Sequence, residues 1–266
     1  MNPLVSDSAA VRVLDLCKSF GSDRGDSEPV LSDISFSVEK GELVSLLGQS
    51  GCGKSTLLNM IGGFEKQDSG QIVMAGQPAA RPNRKCVMLF QHYGLLPWRT
   101  VLKNVELGLE DSGLDASRRR QRARDYLRLV GLDDKQDHFP RELSGGMQQR
   151  VALARALALE PEIILMDEPF AALDTFTRYY LQDELLRIRK QTKMTIILVT
   201  HDIDEAVYLS DRILIMSANP GRLDKEIRIQ AARPRDRGDG EFQHYRKQIL
   251  EQFHFDRPPS PAEYSI

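Results

Sequence analysis

The segment Gly48-Gln49-Ser50-Gly51-Cys52-Gly53-Lys54-Ser55-Thr56 sets spaced glycines before a Lys-Ser pair and an apolar run. Such glycines let backbone N–H groups turn inward around phosphate oxygens at a helix N-terminus. Lys54 then reaches β- and γ-phosphates, and the Ser55 hydroxyl ligands Mg²⁺, whose octahedral shell phosphate oxygens and water complete. Further on, Ile163-Ile164-Leu165-Met166 runs into Asp167-Glu168-Pro169. A buried strand with this ending delivers Asp167 towards the metal and Glu168 towards an attacking water. Glu168 is the candidate general base, a role worth about 10²–10⁴-fold in rate. Alone, the first segment could be a helix-capping turn and the second a helix N-cap with a dipole-stabilising acid. Their joint presence favours phosphate chemistry.

A third segment, Leu143-Ser144-Gly145-Gly146-Met147-Gln148-Gln149-Arg150, opens a helix through Val151 and Leu157. Ser144 with the Gly145-Gly146 backbone makes a second anion-binding helix N-terminus. One chain thereby offers two phosphate sites for one nucleotide.

The elements that must hold these groups follow from periodicity. Val11 to Leu16, Ile34 to Val38 and Leu43 to Leu47 read as strands, with Ser22 to Pro29 a polar loop. A helix from about Lys54 to Ile61 completes a strand, loop, helix unit. From about Pro97 to Leu159 the periodicity is helical. Strand and helix then alternate: Ile163 to Asp167, a helix around Tyr179 to Lys190, Thr195 to Thr200, a helix around Ile203 to Leu209, and Arg212 to Ser217. Fully apolar strands imply a sheet covered on both faces. Beyond Pro220 the chain turns polar, which reads as a surface-packed tail.

The third segment resembles the signature of ABC (ATP-binding cassette) ATPases, with Met147 where glutamine is commonest. The resemblance spans Val11 to about Phe253. It implies an α/β P-loop NTPase core with an N-terminal antiparallel β subdomain and an inserted helical subdomain. The implied division is a flexible N-terminus over residues 1–10, an ATPase domain over 11–220 with its helical subdomain at about 92–159, and a packed tail over 221–266. It also assigns roles: Phe20 stacks on adenine, Gln91 senses metal and water, Asp174 in Ala171-Ala172-Leu173-Asp174 crosses a dimer interface, and His201 contacts the γ-phosphate. ATP is bound by Gly48, Ser50, Gly51, Cys52, Gly53, Lys54, Ser55 and Thr56, and by Ser144, Gly145 and Gly146 of a second copy closed head to tail. Mg²⁺ is held by Ser55, Gln91 and Asp167.

Leu95-Leu96-Pro97-Trp98, with Thr177-Arg178 and Asn219-Pro220-Gly221-Arg222, is similar to importers of nitrate, taurine and alkanesulfonates. The resemblance then implies transmembrane permease subunits, an extracytoplasmic binding protein, and a peripheral position on the cytoplasmic membrane face. Import of a thiamine precursor or a lipid is the alternative, and a non-transport ABC ATPase a further one.

Composition agrees with this class. With 41% hydrophobic and 28% charged residues the chain suits a soluble globular fold, and the net charge of −2 lacks the basic footprint of a nucleic-acid binder. The first ten residues lack the cationic start and apolar core of a secretory signal. Three cysteines without paired spacing, Cys17, Cys52 and Cys86, point away from a disulfide framework. The Arg118–Arg124 run reads as a solvated helix face in the helical region.

Overall fold

The computed structural model describes residues 9–21, 27–79, 81–82 and 85–254. Residues 1–8 and 255–266, with most of the expected N-terminal and tail ends, lie outside them. The described residues form two sheets. One is antiparallel, ordered β2-β1-β4-β5, from β1 (Ala9–Gly21), β2 (Ser27–Glu39), β4 (Ser69–Met74) and β5 (Gln77–Pro78). The other is ordered β10-β9-β3-β8-β7-β6: β3 (Leu43–Gly48), β6 (Cys86–Leu89), β7 (Ile163–Asp167), β8 (Thr195–Thr200) and β9 (Arg212–Ser217) run parallel, with β10 (Arg222–Arg228) antiparallel at the edge.

Residues Ser22 to Pro29, expected as a polar loop, are divided: 22–26 fall outside the described residues, and Ser27 to Pro29 already belong to β2. Pro29 is tolerated because β2 is an edge strand, where a missing N–H donor interrupts no ladder.

β3, β7 and β8 are buried along their whole length, and alternate residues feed two separate cores. Leu46, Leu165, Ile197 and Val199 pack with Leu57, Leu58 and Ile61 of α1 (Lys54–Ile61) and with Val11, Val13, Ile34 and Phe36 of the antiparallel sheet. Leu47, Met166, Ile196 and Leu198 face α2 (Val101–Leu109), α3 (Ala116–Leu129), α4 (Gly145–Ala158), α5 (Thr175–Thr192) and α6 (Ile203–Leu209). Continuous apolar strands are what a doubly covered parallel sheet requires.

α2, α3 and α4 pack on one another between β6 and β7 through Val105, Leu109, Leu127, Leu153 and Leu157. Asp115 caps α3 by accepting from Arg118 N at 2.9 Å, and Thr100 caps α2. Past Ser217, where no element was expected, the chain makes β10 and then α7 (Gly240–His254), whose Phe242 and Ile249 are buried against α6.

Candidate active site

The loop from β3 to α1 turns on two glycines that occupy left-handed backbone, Gly51 at φ 83° and Gly53 at φ 93°. Gly53 is the N-cap of α1, and no side chain caps that end, so its first N–H groups stay available. Gly48 closes the strand where a Cβ would lie 2.7 Å from both Cys52 Sγ and the Met216 carbonyl. Lys54 is buried, and its Nζ donates to the Gly48 and Gln49 carbonyls at 2.7 and 2.8 Å. The loop thus carries its cation folded over its own backbone. Loop amides, helix dipole and ammonium together form an anion site.

β7 ends beside this loop. Asp167 is buried and hydrogen-bonded to Ser55; burial raises its carboxyl above the ordinary range, and the neighbouring Glu168 charge adds to the rise, while Ser55 and Lys54 oppose it. Glu168 breaks out of the strand at φ 49°, its N–H donating to the Val199 carbonyl at 3.0 Å. Beyond this reversal the consecutive carboxylates have different partners, Asp167 meeting Ser55 and Glu168 meeting His201. His201, just past β8, sets Nδ1 3.0 Å from Glu168 Oε1.

A cleft of about 500 Å³ is lined by the loop residues Ser50, Gly51, Gly53, Lys54, Ser55 and Thr56, together with Gln91, Glu168 and His201. The ends of four strands, β3, β6, β7 and β8, therefore bring these groups to one place. Cys52 is buried beneath the loop. The donors Ser55 Oγ, the Asp167 carboxylate and the Gln91 amide are all hard oxygens, the set that suits Mg²⁺. Phe20 is not part of the cleft lining; it lies half exposed on β1 with Lys18 Nζ 4.8 Å above its ring.

Ser144, Gly145 and Gly146 are likewise absent from that lining. Ser144 is the N-cap of α4, its Oγ accepting from Met147 N at 3.3 Å, and both Ser144 and Gly145 are exposed. The α4 N-terminus instead touches the loop after β7, since a Cβ on Gly146 would come 2.9 Å from the Ala172 carbonyl. Asp174 caps α5 by accepting from Thr177 N at 3.0 Å, and those Thr177 hydrogen bonds hold its carboxyl below the usual range.

Sequence reasoning missed two residues here. Gln149 is buried; its Nε2 donates to the Glu168 carbonyl and its Oε1 accepts from Ala172 N, both at 3.0 Å. A polar residue on the buried stripe of Ala152, Leu153 and Ala156 was the available signal. Arg178 of α5 bridges the Leu173 carbonyl and Asp202; in the sequence Thr177-Arg178 carried only a subgroup likeness, with no partner for the arginine implied.

Residues 31–171 match the family model described as ABC transporter. An uncharacterized ABC transporter ATP-binding protein of Methanocaldococcus jannaschii is 47% identical over 240 residues, covering 90% of each chain. The aliphatic sulfonates import ATP-binding protein SsuB of Bacillus cereus is 44% identical over 247 residues, 92% of this chain and 96% of the relative. Among solved structures, an ATP-binding cassette captured as a dimer in a post-hydrolysis state with ADP and Pi superposes at a TM-score of 0.77 with 32% identity, covering 84% of this chain and all of that one. With relatives this similar over nine-tenths of its length, the chain belongs to the ABC transporter family and is an ATPase built as one of its ATP-binding cassettes.

Proposed function

We propose that the chain energises import of a small oxyanion, such as a sulfonate, taurine or nitrate, by hydrolysing ATP in a head-to-tail dimer. The observation that carries the dimer is the separation within one chain: Lys54, Ser55, Gln91, Glu168 and His201 share a cleft, and the anion-binding start of α4 lies outside it. A second copy supplies Ser144, Gly145 and Gly146 to the same γ-phosphate, and Asp174 faces that copy. The dimeric, product-bound cassette supports this arrangement by likeness. The names of the sulfonate-importing relatives support the cargo class.

In the composite site the amides of the loop from Gln49 to Ser55 bind phosphate oxygens, and Lys54 exchanges its carbonyl partners for them. Phe20 stacks on the adenine. Ser55, Asp167 and Gln91 would hold Mg²⁺, which neutralises charge building on the phosphates. Glu168 takes a proton from the attacking water as the new P–O bond forms and the bond to ADP breaks. His201, anchored by Glu168, donates a hydrogen bond towards the γ-phosphate.

No helix of the described residues is long and apolar enough to cross a membrane, so translocation falls to separate permease subunits, which an extracytoplasmic binding protein loads. Phe90, edge-on to Phe64 at 5.0 Å and next to Gln91, and Trp98, 71% exposed later in the same loop, offer apolar contacts for such a partner. In this reading residues 11–220 are the ATPase domain, β10 of the tail extends its parallel sheet at the edge, α7 packs on it, and the whole is peripheral to the cytoplasmic membrane face.

Subunits carrying Lys54→Ala mixed with subunits carrying Ser144→Arg test the dimer: one composite site per mixed dimer loses both elements and the other stays intact. Hydrolysis restored on mixing supports the reading, and mixed pools as inactive as the separate ones overturn it. Uptake in a deletion strain offered sulfonates, nitrate and a pyrimidine precursor assigns the cargo; uptake unaffected for every oxyanion rejects that class.

A further inference from the structure

Behind the cleft, one side chain joins two loops that sequence places far apart. Arg178 donates from Nη2 to the Leu173 carbonyl at 3.1 Å and from Nη1 to Asp202 Oδ2 at 3.3 Å. Leu173 precedes Asp174, the cap of α5. Asp202 follows His201, and its other oxygen caps α6 by accepting from Glu205 N at 3.0 Å. His201 in turn meets Glu168 at 3.0 Å. The loop 171–174 is thereby connected to Glu168 through hydrogen bonds and single peptide steps.

Glu168, Arg178, His201, Asp202 and Glu205 line one cavity of about 50 Å³. From α5, Gln182 Nε2 reaches Glu205 Oε2 at 3.4 Å, and Gln182 Oε1 accepts from Arg237 of the C-terminal segment. Asp202 is the carboxylate paired with the Arg178 fork, and Arg178 Nε is buried without a hydrogen-bond partner among the described residues. A planar guanidinium with two nitrogens on two loops fixes their separation in a way a lysine point charge does not.

We propose that Arg178 is a positioning residue for hydrolysis, tying the 171–174 loop to the loop that holds His201 against Glu168. This rests on the dimer reading above, in which Asp174 faces the second cassette. Closure against that loop displaces the Leu173 carbonyl, and the guanidinium passes the displacement to Asp202 and so to His201. Arg178 lies outside the lining of the cleft and acts through the pair it orients.

The full-length protein carrying Arg178→Met, and separately Arg178→Lys, tests this. The expected result is a fall in kcat of about 10-fold or more for both, with KM for ATP within about 3-fold of wild type. In a Glu168→Gln background, both variants form the ATP-bound dimer at the same nucleotide concentration as the parent, by size-exclusion chromatography. Unchanged kcat, full recovery with Arg178→Lys, or dimer loss in proportion to kcat overturns the proposal. Asp202→Asn keeps a capping oxygen and removes the charge, so it remains informative where the arginine variants fold poorly. Its kcat loss and that of Arg178→Met should not multiply when combined, because both cut one connection; multiplication counts against it. If Glu168→Gln alone retains wild-type hydrolysis, the site reading itself falls. If Glu168→Gln is inactive and Arg178→Met is not, only the Arg178 proposal falls.

Discussion

His201 Nδ1 and Glu168 Oε1 lie 3.0 Å apart, so the ends of the adjacent strands β7 and β8 meet through a side-chain contact as well as through the sheet, where Glu168 N–H donates to the Val199 carbonyl. Glu168 is the less exposed partner, at 21% of its side chain against 63% for His201. Both side chains line the cleft, the carboxylate the more covered of the two. Glu168→Gln should keep ATP binding, lose about 10²-fold or more in turnover and accumulate an ATP-bound dimer, read by chromatography. His201→Ala should lower kcat comparably, with less effect on ATP affinity measured by fluorescent-nucleotide binding.

Gln149 holds both the Glu168 carbonyl and the Ala172 amide, which makes α4 the support of the loop that carries Glu168. Gln149→Leu leaves two polar backbone groups unpaired and should cost about 1–3 kcal/mol in urea denaturation. Its kcat should fall further than its stability change accounts for at saturating ATP. Wild-type kcat in a stably folded variant would separate α4 from the hydrolytic loop.

Glu205 is buried on α6, and burial, reinforced by the nearby Asp202 charge, pushes its carboxyl up to about 8. The folded chain therefore binds a proton there that the unfolded chain has released above the ordinary glutamate range. Stability is greatest below that range and declines as pH rises towards about 8. Glu205→Gln removes the ionisation, so chemical denaturation at pH 6 and pH 9 should show a smaller decline than wild type. An identical decline in both proteins would refute the assignment.

Arg235 is buried and donates to the Val207, Tyr208 and Ser210 carbonyls at 2.6, 3.1 and 2.7 Å, closing the C-terminal end of α6. Arg237 stacks between Tyr179 and Tyr208, its guanidinium carbon 3.8 and 3.6 Å from the ring centroids. Arg235→Met should cost about 3 kcal/mol or more, since these three carbonyls and those of Ala231 and Ile229 lose a charged donor at once. Arg237→Ala, with its two ring contacts, should cost about 1–2 kcal/mol by thermal denaturation.

The cleft was legible because its groups sit at strand ends with short spacings: β7, β8, β9 and α6 occupy the residues their apolar periods indicated. The antiparallel strands proved longer than read, since Lys18, Ser19 and Glu28 look like loop residues until the β1–β2 ladder pairs them. β10 and α7 escaped notice because alternate charges along Arg222–Arg228 mask a strand that buries little but Ile227, and α7 shows its apolar face only as Phe242 and Ile249. Gln149 and Arg178 were invisible for a different reason. Their meaning is a pair of partners from distant loops, and no local pattern encodes that.

The approach of Gly146 to the Ala172 carbonyl has a mechanical corollary. A Cβ at Gly146 would meet that carbonyl at 2.9 Å and the Leu173 side chain at 3.5 Å, so the two segments leave no room for a side chain between them. A tilt of α4 therefore bears on the loop after β7 with little slack, as in a lever that has hardly any play. Lengthening Gly146 by a single methyl group would insert a spacer at that fulcrum, and the stroke delivered to the hydrolytic loop would be altered with every chemical group still present.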